Sequence, residues 1–187
     1  MKNSTGKKIT AEKLFEIFYS GNHAFRGDTQ VIQDIYFLIE NNYIHLQKEI
    51  LGTKEEYQKL VREADLTNID ITGGSTDHVA IKAFASQKLP ISFISELHFC
   101  GFFPDLISRD KKIVVECGNT QNPEKIFSYF LHGVEKVIQI PYSSIEDKEI
   151  VGYSFSPQKD FEKFYKLWKQ SELDKLKQHS SLFKNDF

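Results

Sequence analysis

Apolar positions recur with helical spacing at several places in the N-terminal part of the chain. Leu14, Phe15 and Phe18 share one face of a segment that starts near Thr10. Val31, Ile32, Ile35, Leu38 and Ile39 do the same after Asp28, and Asn41-Asn42 ends that run. Residues 43–51 fit a helix or a strand. Thr53-Lys54-Glu55-Glu56 then forms a capping box, in which a hydroxyl and a carboxylate satisfy the orphan amides of a helix start. Tyr57, Leu60, Val61 and Ala64 follow at helical spacing.

The pattern changes after Gly73-Gly74. Ser75 or Thr76 can cap a short helix that Pro90 closes. Extended runs follow over Ile91–His98, Phe102–Ser108 and Lys112–Cys117. Asn122-Pro123 starts a helix that runs to about His132, because proline at the first helical position loses no needed amide. Val134–Tyr142 and Val151–Phe155 read as strands. After Pro157, the residues Phe161, Phe164, Tyr165, Trp168, Leu173 and Leu176 outline a long amphipathic helix. Three strands in hairpin succession, a crossover helix and a further strand predict an α/β fold with a mixed sheet. The boundaries are a helical N-terminal extension over 1–72 and an α/β domain over 73–187.

Composition narrows the class. The chain has 187 residues, 40% hydrophobic and 27% charged, an ordinary globular balance that excludes whole-chain disorder. A chain this long buries roughly 70% of the surface its unfolded form exposes. The net charge of -2 and a pI near 6.3 exclude a polybasic protein, so nucleic-acid contact has to come from a local patch. Cys100 and Cys117 are too few for a disulfide framework, and no Cys/His spacing matches a zinc site. Met1–Thr10 lacks the apolar stretch of a secretory signal, and no run nears the roughly 20 apolar residues that span a bilayer. The expectation is a cytoplasmic protein with reduced thiols and no membrane association.

The chemistry concentrates in Phe103-Pro104-Asp105-Leu106-Ile107-Ser108 and Lys112-Ile113-Val114-Val115-Glu116-Cys117-Gly118. A hairpin turning on Asp110-Lys111 aligns 108 with 113 and 105 with 116. Asp105 and Glu116 are then cross-strand neighbours, with Cβ atoms about 4.5–5.5 Å apart. Their apolar neighbours mark both strands as buried. Two buried carboxylates without a counter-charge are costly, and a divalent cation removes the conflict. Oxygen ligands suit Mg²⁺ or Mn²⁺. The bland alternative is a pair of solvated edge residues.

These residues resemble the PD-(D/E)xK nuclease superfamily, with its restriction-endonuclease-like fold. Pro104-Asp105 matches the first half of the motif and Glu116 the second. Gly73-Gly74-Ser75-Thr76-Asp77-His78, with Lys82 one turn on, looks like the opening of that family's first core helix. The order of elements over about 75–142 matches its αβββαβ core. The resemblance implies metal-assisted hydrolysis of phosphodiester bonds, with DNA expected ahead of RNA; contacts to the sugar, which would separate the two, are not legible in the sequence. Asp105, Glu116 and the Cys117 backbone carbonyl would hold Mg²⁺ or Mn²⁺. The sequence departs from the motif where the family's lysine would stand, since that position is Gly118. Lys125, in the following helix, is the substitute this implies, with Gln121 second; an exposed surface lysine is the alternative.

Other groups have two readings. Glu96 is a surface charge in preference to a further acidic ligand. Asp77 and His78 are a helix-dipole partner and a cap, or site residues. His98 is a solvated strand residue. Cys117 alternates away from Glu116 and is a core thiol. In the C-terminal helix Lys159, Lys163, Lys166, Lys169, Lys175 and Lys177 outnumber Asp160, Glu162, Glu172 and Asp174. A docked amphipathic helix explains this better than a nucleic-acid patch. The N-terminal helices could serve target recognition or a homodimer. A reading of another class is a nuclease-fold protein without catalysis, binding nucleic acid or serving assembly.

Overall fold

The computed structural model describes residues 35–63, 76–118, 124–142, 148–163 and 166. Residues 35–40 are helical. They end in a left-handed Asn42 (φ 60°), where the Tyr43 amide donates to the Leu38 carbonyl and the Asn42 amide to that of Ile39. That closure satisfies carbonyls the helix would otherwise leave unpaired, and asparagine tolerates the conformation it requires.

The elements are β1 (Ile44–Thr53), α1 (Lys54–Glu63), α2 (Thr76–Lys88), β2 (Phe93–Ser95), β3 (Leu106–Ser108), β4 (Ile113–Cys117), α3 (Glu124–Leu131), β5 (Lys136–Ile140) and β6 (Glu149–Pro157). The strands form one six-stranded sheet in the order β1-β6-β5-β4-β3-β2. Only β4 and β5 run parallel, joined through α3, so the sheet is mixed and the fold is α/β.

Residues 43–51, open to either reading from sequence, lie in the strand region. β1 pairs antiparallel with β6 from Ile44↔Pro157 to Thr53↔Glu149, with a bulge between Ile50 and Gly52. The reading of 1–72 as a helical extension is therefore corrected for 44–53, which is the edge of the main sheet. The cause is tertiary: β6 offers a long unpaired edge, and pairing with it fixes a segment whose own pattern is undecided. The capping box forms as the sequence predicts. The Thr53 amide donates to Glu56 Oε2 at 2.8 Å, and the Glu56 amide donates to Thr53 Oγ1 at 3.2 Å.

Alternation splits the sheet's side chains between two cores. On one face Leu106, Val115, Cys117, Ile138, Ile140 and Ile150 pack with Ala80, Ile81, Phe84 and Ala85 of α2 and with Tyr57 of α1. On the other, Ile107, Val114, Val137, Val151 and Phe155 pack with α3, with residues 35–38 and with Phe161. Helices thus cover both faces.

The extended runs read over Ile91–His98 and Phe102–Ser108 shorten to three residues each, Phe93–Ser95 and Leu106–Ser108. Glu96 adopts φ 51°, which ends the first ladder. Phe99 and Phe102 exchange hydrogen bonds around a tight turn with Cys100 and Gly101 at positive φ. Pro104 then offers no amide to a ladder. The remaining elements match the predicted ones within a few residues.

Several expectations fall outside the described residues: the helix near Thr10, the start of the run from Val31, the Gly73-Gly74-Ser75 opening of the next helix, Gln121, the Asn122-Pro123 helix start, and most of the C-terminal helix with its lysines. Among the described residues no helix is long and apolar enough to cross a membrane.

Candidate functional site

The β3–β4 hairpin has the register that the turn at Asp110-Lys111 predicts, with Leu106 opposite Val115 and Ile107 opposite Val114. One step further along that ladder, Asp105 stands opposite Glu116. The turn is held by Ser108, whose buried hydroxyl donates to Asp110 Oδ1 and accepts from the Lys112 and Ile113 amides.

The row extends both ways. Beyond Asp105, the Glu96 amide donates to the Asp105 carbonyl at 3.4 Å. Beyond Glu116, β5 places Gln139 as its direct neighbour. Glu116 and Gln139 are thus paired on adjacent strands about 4.8 Å apart, with Asp105 and Glu96 just beyond the paired ends of β3 and β2.

Helices on the two sides meet this row with pairs spaced by four residues. From α2, His78 Nε2 lies 3.0 Å from Asp105 Oδ1, and Lys82 Nζ lies 2.5 Å from Glu96 Oε1. From α3, Lys125 Nζ lies 2.8 Å from Glu116 Oε2, and the Tyr129 hydroxyl donates to Glu116 Oε1 at 2.6 Å. Residues four apart share a helix face, so each helix aims both members at the sheet.

Asp105 Oδ2 accepts the Cys117 amide at 2.6 Å. Backbone geometry then keeps that oxygen within about 5 Å of the Glu116 Cα. The two acids are neighbours, yet they lean on different helices. Glu116, 5% exposed, turns to α3, whereas Asp105 turns to α2. The premise that they lack counter-charges is corrected: Lys125 pairs with Glu116, and the His78 imidazole, a counter-charge when protonated, contacts Asp105.

Electrostatics follow from these contacts. The Asp105 carboxylate raises the His78 imidazole above its usual range, against partial burial. Burial pushes the Glu116 carboxyl up, and the Lys125 ammonium and Tyr129 hydroxyl oppose that. Burial, with the neighbouring Glu116 charge, drives the Tyr129 phenol up as well, so it remains a donor. Cys117 is a buried free thiol in the α2-side core, pushed up by burial.

Gly118 has no room for a side chain. Its φ is 90°, and a Cβ built there would lie 2.4 Å from the Tyr142 ring. Tyr142 occupies that space and sets its hydroxyl 3.1 Å from His78 Nδ1.

Not every candidate joins the site. Glu96 is exposed and paired with Lys82. Asp77 is exposed in the first turn of α2, where a negative charge suits the helix dipole. His98 is exposed, its ring 5.0 Å from that of Phe103, which is 63% exposed. Gln121 lies outside the described residues. Sequence reasoning missed Tyr129, Tyr142 and Gln139. The signal for Gln139 was present: one amide in the apolar strand Val137-Ile138-Gln139-Ile140.

Among the described residues no group of three or more His, Cys, Asp or Glu side chains is placed to hold a metal ion. Two carboxylates, main-chain carbonyls and the Gln139 amide oxygen make up the local donor set. Its chemistry, hard oxygen throughout, fits Mg²⁺ or Mn²⁺ with water completing the shell. No family model, curated protein or solved structure matches the chain.

Proposed function

We propose that this protein is a metal-dependent nuclease that hydrolyses phosphodiester bonds, in DNA in preference to RNA, on a restriction-endonuclease-like αβββαβ core. Supporting the fold reading is the succession α2-β2-β3-β4-α3-β5, with an antiparallel meander followed by a parallel strand. The observation that carries the function is the meeting of Asp105, Glu116 and Lys125, from three elements, at the C-terminal end of β4. Ligand sites in open α/β sheets favour the carboxyl ends of parallel strands.

Asp105, Glu116 and the Cys117 carbonyl would hold Mg²⁺ or Mn²⁺. When bound, the ion supplies a water of lowered pKa and offsets charge on the phosphate. Lys125 places a positive charge beside the reacting phosphate, where negative charge develops. Tyr129 fixes the Glu116 carboxylate. Water oxygen bonds to phosphorus as the bridging P–O bond breaks, and the departing oxygen takes a proton. The exposed rings of His98 and Phe103, next to Pro104-Asp105, offer a surface on which bases can stack.

The test is purified protein on plasmid and single-stranded DNA, with and without Mn²⁺. Metal-dependent nicking should vanish in Asp105→Ala. Nicking that survives that substitution overturns the assignment. Lys125→Ala should slow cleavage about a hundredfold, the scale of losing one electrostatic stabiliser, while Mn²⁺ affinity stays nearly intact.

A second reading, a nuclease fold that binds nucleic acid or serves assembly without catalysis, is favoured by one observation. Each acid already has a protein partner, Lys125 for Glu116 and His78 for Asp105. Calorimetry showing no Mn²⁺ binding near a millimolar would select it.

A further inference from the structure

Gln139 is fully buried in the middle of β5, between Ile138 and Ile140. Its Nε2 donates to the Gly118 carbonyl. That contact sets the amide's orientation, because the reverse would press Oε1 against another oxygen. Oε1 is thereby committed as an acceptor, and no donor reaches it. An unmet buried acceptor costs about 1–3 kcal/mol, and native proteins keep few of them.

The position of this oxygen is informative. Gln139 is the direct β-ladder neighbour of Glu116, and the backbone amide of the residue after Glu116, Cys117, donates to Asp105. The Gln139 side-chain amide reaches Gly118, just past the end of β4. Two carboxylates alone give a divalent ion too few protein ligands. The imidazole that touches them, His78, is engaged by Asp105 and Tyr142, and among the described residues no group of three or more His, Cys, Asp or Glu side chains is placed to hold an ion. A neutral amide oxygen beside Glu116 can supply a further ligand. Mg²⁺ and Mn²⁺ accept such oxygens alongside carboxylates.

We propose that Gln139 Oε1 is a direct ligand of the divalent ion, completing a set with Asp105, Glu116 and the Cys117 carbonyl. The inference rests on the nuclease reading for the presence of that ion. It gives the orphan oxygen its partner and explains an amide in an apolar strand. The hydrogen bond to Gly118 holds the ligand in place before the ion arrives. The competing explanation is a trapped water that serves structure alone.

Mn²⁺ titration by calorimetry and Mn²⁺-dependent thermal unfolding decide the matter without any assay of cleavage. Wild type, Gln139→Leu, Gln139→Glu and Asp105→Ala are compared. Gln139→Leu should weaken Mn²⁺ binding at least tenfold and lose most of the metal-induced rise in Tm. Gln139→Glu should melt lower than wild type without metal, because it buries a charge, and regain that loss when Mn²⁺ is added. Wild-type affinity in Gln139→Leu overturns the inference and leaves the nuclease reading standing. Wild type that binds no Mn²⁺ overturns both. Should Gln139→Leu fail to fold, a Gln139→Glu Tm that ignores Mn²⁺ overturns the inference on its own.

Discussion

The Glu116 carboxylate is the most constrained charge in the described residues, buried and served by one ammonium and one phenol. Removing Lys125 strands it. Lys125→Ala should therefore destabilise the fold by about 2–4 kcal/mol at neutral pH, measured by urea denaturation, with a smaller loss in acid, where the carboxyl is neutral. Tyr57 gives a cleaner pH signature. Burial pushes its phenol up to about 12 from 10.0. The folded state thus keeps a proton that the unfolded state gives up, so stability is intact below pH 10 and is lost as pH rises from 10 to 12. Tyr57→Phe should lose less between pH 9 and 11.5 than the wild type. Gly118 supplies a backbone test. Gly118→Ala should cost about 1–3 kcal/mol through its positive φ and the Tyr142 clash, and Gly118→Lys should neither fold better nor cleave faster. The site's acids and their register were legible at this scale, because alternation and a tight turn fix cross-strand partners. Tyr129 and Tyr142 were not, because nothing local reveals which ring the fold will turn toward Glu116 or His78. Gln139 stood out as the one amide in an apolar strand, but its partner, the Gly118 carbonyl, is set by the pairing of β4 with β5.

Elements record how far local chemistry determines structure. The capping box at Thr53 was readable because its hydrogen bonds lie within four residues. Thr53→Ala should cost about 1 kcal/mol by thermal or urea unfolding. The short strands β2 and β3 were over-read. Apolar content suggested long extended runs, but the left-handed Glu96, the turn at Cys100-Gly101 and Pro104 interrupt them. These interruptions matter for the site, since they end β3 just where Asp105 must bend toward His78 and the Cys117 amide. α2 and α3 have a shared design. Each sends two polar side chains, one turn apart, to the sheet: α2 reaches two acids, Asp105 and Glu96, and α3 brings both to Glu116, while the remaining apolar positions hold the helix to its own core.

At the scale of the whole molecule, the mixed sheet followed from counting hairpins and crossovers, whereas its far edge did not. β1 joins only because β6 lies open to it, a fact that no window of sequence near residue 44 contains. A fragment starting at residue 73 should therefore not fold as an independent unit. It bares the β6 edge and the apolar side chains that β1 covers, and gel filtration should find it aggregated, without a cooperative melt. The same pairing bears on how the chain is born. Among the described strands the one at 44–53 is synthesised first, yet its partner follows about a hundred residues later. It waits unpartnered over that interval, and the sheet closes only when β6 arrives to claim it.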